Sequence, residues 1–119
     1  MTRHVRVYWL PVAVWAVLIF TLSSISQFPE TVQPIFSFDK IAHTIEYAIF
    51  AFLLARAFGH SKKQTLADNF RFFAIIVSVL YGVSDELHQI FVPLRTPSVL
   101  DFCYDSIGAL IGQMIFRKK

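Results

Sequence analysis

The sequence predicts an all-α protein: a four-transmembrane-helix bundle, one domain over residues 1–119, with both termini in the cytoplasm. Three observations lead there. Hydrophobic residues make up 55% of the chain and Phe alone occurs 13 times, more apolar surface than so short a chain can hide from water. That content falls into four runs, each near the roughly 20 residues needed to cross a bilayer. Lysine and arginine gather between alternate runs, as they do on the cytoplasmic side of a membrane protein.

The first helix is expected at about residues 7–25, VYWLPVAVWAVLIFTLSSI, with Pro11 early enough for its missing N–H to be harmless. Arg3 and Arg6 ahead of it, and Ser23, Ser24 and Ser26 at its end, also resemble a secretory signal peptide. The apolar run is long for that role and no A-x-A-like site follows, so it is expected to stay as a span. The second helix is expected at residues 40–58, the third at 70–92 and the fourth at 99–116. Breakers divide them: Gln27-Phe28-Pro29-Glu30 through Pro34, then Gly59-His60-Ser61-Lys62-Lys63, then Pro93-Leu94-Arg95-Thr96-Pro97. There is no repeat, no low-complexity tract and no extramembrane domain.

Arg3, Arg6, Arg56, Lys62, Lys63, Arg71, Arg117, Lys118 and Lys119 fall on one side of such a bundle, leaving only Lys40 and Arg95 of the eleven cations on the other. By the positive-inside rule the crowded side is cytoplasmic. The net charge of +3 therefore reads as attraction to anionic headgroups, and no nucleic-acid partner is expected. A lone cysteine, Cys103, excludes an internal disulfide.

With this topology, Glu30, Asp39, Glu46, Asp85, Glu86, Asp101 and Asp105 all lie toward the outer face, and only Asp68 toward the cytoplasm. Ionisable groups at membrane depth cost at least about 2.5–3.5 kcal/mol each at a helix centre, so they turn inward and pair. At 100° per residue, Asp39, His43, Glu46 and Phe50 share an arc of the second helix. Ser78, Gly82, Asp85, Glu86 and Gln89 share a face of the third, with Tyr81 and His88 at its edge. Asp101, Asp105, Gly108 and Gly112 line the fourth, where the Gly-x-x-x-Gly spacing lets another helix approach closely. Three polar stripes at one depth, with Arg95 between two of them, predict one shared site of Asp39, Lys40, His43, Glu46, Asp85, Glu86, Gln89, Arg95, Asp101 and Asp105. Taken singly, several have plainer roles: Asp101 and Asp39 as helix-end carboxylates, Lys40 as a snorkelling cation.

The motifs Asp39-Lys40-Ile41-Ala42-His43 with Glu46-Tyr47, then Ser84-Asp85-Glu86-Leu87-His88-Gln89-Ile90-Phe91, then Arg95, Asp101 and Gly108, resemble the VanZ-like family. Leu22-Ser23-Ser24 also looks like the family's usual end to its first helix. The one departure is Asp105, where the family usually carries Asn. The resemblance implies a four-helix, multi-pass protein of the bacterial cytoplasmic membrane. For some members it implies low-level resistance to teicoplanin and related lipoglycopeptides, and so a place in the cell envelope.

Three chemistries fit these residues. In the first, Arg95, Lys40 and a protonated His43 or His88 hold an anionic headgroup of a membrane lipid or lipid-linked envelope precursor, Arg gripping phosphate with two donors. The surplus of carboxylates would better suit a zwitterionic, amine-bearing or metal-bridged ligand. In the second, the chain is an enzyme, with Glu86 and His43 as acid–base candidates. His43, Glu46 and Glu86 could then also hold a divalent cation, although no established metal signature occurs and no cofactor is required. In the third it is part of an ion-coupled transporter, a reading weakened because the inner half of the second helix, Phe50 to Ala57, offers no polar path before Arg56. A homo-oligomer is the candidate protein partner.

Overall fold

The computed structural model describes residues 2–24, 38–92 and 99–117, with the side chains of 38–40 excepted, and among these it is all helical. A π-helical stretch, Val5–Trp9, leads into α1, Leu10–Ser23. It is followed by α2, Phe38–Gly59, the short α3, Gln64–Asp68, then α4, Phe70–Gln89, and α5, Val99–Ile115. Each long helix follows one of the apolar runs. The two local features that the apolar pattern did not foresee are α3 and the π-helical stretch.

The bundle is elongated, 46 × 28 × 19 Å, and α2 is its axis, packing against α5 most extensively and then against α4. Gly108 and Gly112 explain the first contact. A Cβ built on Gly108 would run into the backbone carbonyl of Thr44, and one on Gly112 into that of Ala48. The two helices therefore touch backbone to backbone, as small-residue spacing permits. Polar bonds reinforce the seam: Gln113 Nε2 donates to the Ala51 carbonyl at 3.1 Å, and Thr44 Oγ1 reaches the Tyr104 carbonyl at 3.5 Å.

The helix α1 is apolar on every side, and it leans on α2 and, more lightly, α4. Two hydrogen bonds pin it. Trp15 Nε1 donates to the Glu46 carbonyl at 2.9 Å, and the Tyr81 hydroxyl donates to the Ala16 carbonyl. Beneath them lies an aromatic core in which Phe50 sits 5.0 Å from Tyr81 and Trp9 meets Phe58 edge-on at 5.1 Å. At the opposite end from the polar stripes, two arginines bind helix ends. Arg56 donates to the Val7 carbonyl at 2.8 Å and covers the Tyr8 ring. Arg71 donates to the carbonyls of Gln113 and Phe116, where a cation also complements the C-terminal dipole of α5.

Between α2 and α4, α3 is held by an i,i+4 bond of 2.6 Å from Gln64 Nε2 to Asp68 Oδ1, with Ala67 buried beneath it. Asn69 breaks the chain direction before α4 with φ −118° and ψ 33°.

Among the described residues two helical segments are long and apolar enough to cross a membrane, Val5–Ser23 and Ile41–Gly59. Neither α4, which carries Arg71, Asp85 and Glu86, nor α5, with 17 residues and two aspartates, is among them.

Candidate polar site at one end of the bundle

The alternation of the helices brings the ends of α1 and α4 together with the starts of α2 and α5. That end receives the polar side chains. His43 stands near the start of α2, Asp85 and Gln89 in the last turns of α4, and Asp101 and Asp105 in the first two turns of α5. All five are buried, Gln89, Asp101 and Asp105 to 2% exposure or less. Helical spacing accounts for it: Ser78, Gly82, Asp85 and Gln89 make the buried face of α4, and Asp101, Asp105, Gly108 and Gly112 that of α5.

His43 Nδ1 lies 2.8 Å from Asp105 Oδ1, joining α2 to α5 by a hydrogen bond. One turn along α2, the Tyr47 hydroxyl donates to Asp85 Oδ2 at 3.4 Å and joins α2 to α4. Three helices thus meet at one point, where a ligating atom from each of His43, Asp85 and Asp105 lies within 4.8 Å of the other two. The end of α1 closes one side. Gln89 Nε2 donates to Ser23 Oγ at 3.0 Å, while His88 Nε2 sits 2.8 Å from Ser24 Oγ with its ring stacked on Phe20.

Some polar capacity there is unused. Asp105 Oδ2, Gln89 Oε1 and Ser78 Oγ are buried and find no hydrogen-bond partner among the described residues. An unsatisfied buried polar atom costs about 1–3 kcal/mol, so each of these calls for a bound water, ion or ligand.

The expected site residues divide accordingly. His43, Asp85 and Asp105 come together in the interior, with Gln89 and Asp101 buried one turn from Asp85 and Asp105 respectively. Glu46 and Glu86 are half-buried at its flank, because each stands well round its helix from the buried line. Asp39 and Lys40 belong to the first turn of α2, with side chains outside the described residues; Arg95 lies outside the described residues altogether. Among the residues weighed for a cation, His43 is joined by Asp85 and Asp105 rather than by Glu46 and Glu86. Two members of the surroundings were not among the expected site residues: Tyr47, one turn after His43 and part of the same motif, and Ser23, in the Leu22-Ser23-Ser24 that resembles the family's end to its first helix.

A family model described as VanZ/LLP1 matches residues 2–118, which takes in every residue of the polar cluster. The chain belongs to the VanZ/LLP1 family. No curated protein and no solved structure matches it. Family membership and the two apolar segments together point to a membrane protein. In this VanZ/LLP1 chain Asp105 is bonded to His43.

Proposed function

We propose that this VanZ/LLP1 protein crosses the bacterial cytoplasmic membrane four times, with both termini inside, and binds the headgroup of a lipid or lipid-linked envelope precursor at its outer end. The observation that carries this reading is the convergence of His43, Asp85 and Asp105 from three helices into one buried cluster, with Asp101 buried one turn before Asp105. Charges so placed are too expensive to serve packing alone. An outer surface of apolar side chains supports the membrane setting: Val17, Leu80, Phe91 and Met114 are each more than 60% exposed, a distribution suited to lipid and poorly suited to water.

In this reading the carboxylates take the cationic or metal-bridged part of the headgroup, and Arg95 and Lys40 take its phosphate. The test is expression in a teicoplanin-susceptible host. The chain is expected to raise tolerance, and Arg95→Ala and Glu86→Gln to abolish that gain while the amount of inserted protein stays the same. Tolerance equal to wild type in both variants would overturn the reading.

A second reading is favoured by the His43–Asp105 pair, since an imidazole oriented by a carboxylate is suited to moving protons. The chain would then be an acid–base enzyme acting on the same headgroup. Loss of a headgroup group from lipid incubated with purified protein, absent with His43→Gln, would establish it; unchanged lipid would exclude it.

A further inference from the structure

We propose that His43, Asp85 and Asp105 form a binding site for one divalent transition-metal cation, of the zinc or manganese class. The inference rests on reading the buried cluster as a binding site and names what occupies its centre.

The first support is geometric. One nitrogen or oxygen from each residue lies within 4.8 Å of the other two. A tetrahedral ion with bonds of about 2.0–2.2 Å sets its ligand atoms about 3.4 Å apart. The three side chains therefore need draw in by little more than an ångström, within reach of small χ rotations. They also come from three different helices, so an ion between them would tie α2, α4 and α5 at one point.

The second support is independent of the cluster's composition. Asp105 is 2% exposed, yet its Oδ2 has no hydrogen-bond partner among the described residues. That oxygen is turned to α4, where a Cβ built on Gly82 would stand 3.6 Å from it, one turn before Asp85. On the far side of Asp85, Gln89 spends its amide nitrogen on Ser23 and leaves Oε1 unpartnered at 0% exposure. One carboxylate of the triad thus keeps a buried oxygen without a donor, and a buried amide oxygen is left without one a turn beyond Asp85 on α4. An ion would satisfy the first, and a water on that ion would satisfy the second.

Charge and donor type choose the ion. Two carboxylates side by side away from water repel each other, and a divalent cation cancels both charges where a single proton cancels one. An imidazole beside two carboxylates suits zinc or manganese, whereas magnesium keeps to octahedral oxygen sites and calcium takes six to eight oxygens. Three protein ligands leave a coordination position open, as in zinc sites that meet a substrate. A headgroup phosphate or a water would fill it.

The experiment titrates zinc, and separately manganese, into the full chain purified in detergent and stripped with chelator. Elemental analysis and the thermal midpoint are the readouts. Wild type is expected to hold one ion per chain and to unfold at a higher temperature when loaded. Asp105→Asn and His43→Gln are expected to weaken binding at least about 100-fold, as loss of a ligand should exceed the 10–100-fold effect of its supporting residues. His60→Asn and Asp68→Asn, both exposed and at the opposite end, are expected to bind as wild type does. Asp85→Asn is the second ligand variant should Asp105→Asn unfold. No stoichiometric ion in wild type, or wild-type affinity in the folded ligand variants, overturns the proposal. Arg95→Ala separates it from the headgroup reading, because that residue is assigned to phosphate and not to the ion. An ion that fails while Arg95→Ala still removes tolerance leaves the headgroup reading standing; the opposite pair of results leaves only the ion.

Discussion

Trp15 and Tyr81 each spend one polar atom on a carbonyl of a neighbouring helix, and between them they hold α1 to the rest. Lipid tails compete with apolar helix surfaces on equal terms, so such bonds matter to how a membrane helix is seated. Trp15→Phe and Tyr81→Phe are each expected to lower unfolding free energy by about 0.6–1.7 kcal/mol, measured by denaturant titration in detergent. No shift in either would mean that van der Waals packing alone seats α1. Arg71→Met removes both donors from the end of α5 and should be costlier than either, since hydrogen bonds from a charged group contribute about 1.5–3 kcal/mol. At this scale the sequence was legible wherever one helix decides the outcome. The period of 3.6 residues puts Ser78, Asp85 and Gln89 on one buried face before any partner is considered. It says nothing of which helix they meet. That Gln89 would bond Ser23, and Asp105 rather than Glu46 or Glu86 would hold His43, depends on rotations of one helix against another, which no single run records.

Between helices, the glycines divide into two kinds. Gly108 and Gly112 have backbone carbonyls of α2 where a side chain would start, and backbone cannot step aside as a side chain can. Gly108→Ala or Gly112→Ala should force α5 away from α2 at a cost of about 1–3 kcal/mol or more, seen as a lowered thermal midpoint. Gly82→Ala is expected to do the reverse. Its Cβ would meet Asp105 at 3.6 Å, an ordinary contact, while alanine in a helix interior gains up to about 1 kcal/mol over glycine. A destabilised Gly82→Ala together with an unaffected Gly112→Ala would contradict this packing. Hydropathy and breakers were good guides to the long helices: α4 begins at Phe70 and α5 at Val99, where the apolar runs resume. They were blind to α3, whose five residues bury one alanine and are too few to show a period. The π-helical stretch was equally hidden, because it differs from an α-helix in hydrogen-bond register and not in residue type.

For the molecule as a whole, the polarity of its two ends is the property with the widest reach. Arg56 and Arg71 bind helix ends at one extremity, and the acidic cluster occupies the other. In a membrane this asymmetry and the surplus of cations on the arginine side should set orientation. In a Cys103→Ser background, which removes the exposed native thiol, Gln33→Cys is expected to react with an impermeant thiol reagent on intact cells. Gln64→Cys should react only after permeabilisation. The opposite pattern would invert the molecule and move the acidic cluster to the cytoplasmic face. Charge counting made the asymmetry legible because it needs no partner and no register; how many helices cross is a matter of how α4 and α5 shelter their carboxylates against α2.

The close seam between α2 and α5 has a consequence for how the chain is made. The helix α5 leaves the ribosome after α2, carrying Asp101 and Asp105 in its first two turns, and alone it is a poor candidate for insertion, since aspartate within a span opposes entry. Its shelter is α2, synthesised some forty residues earlier, with His43 and the carbonyls of Thr44 and Ala48 turned to receive it. If the chain spans four times, entry of α5 and assembly of the acidic cluster are expected to be one event. A nascent chain that stops after α4 has the imidazole and one carboxylate but not their partner, and only the emergence of α5 closes the bundle.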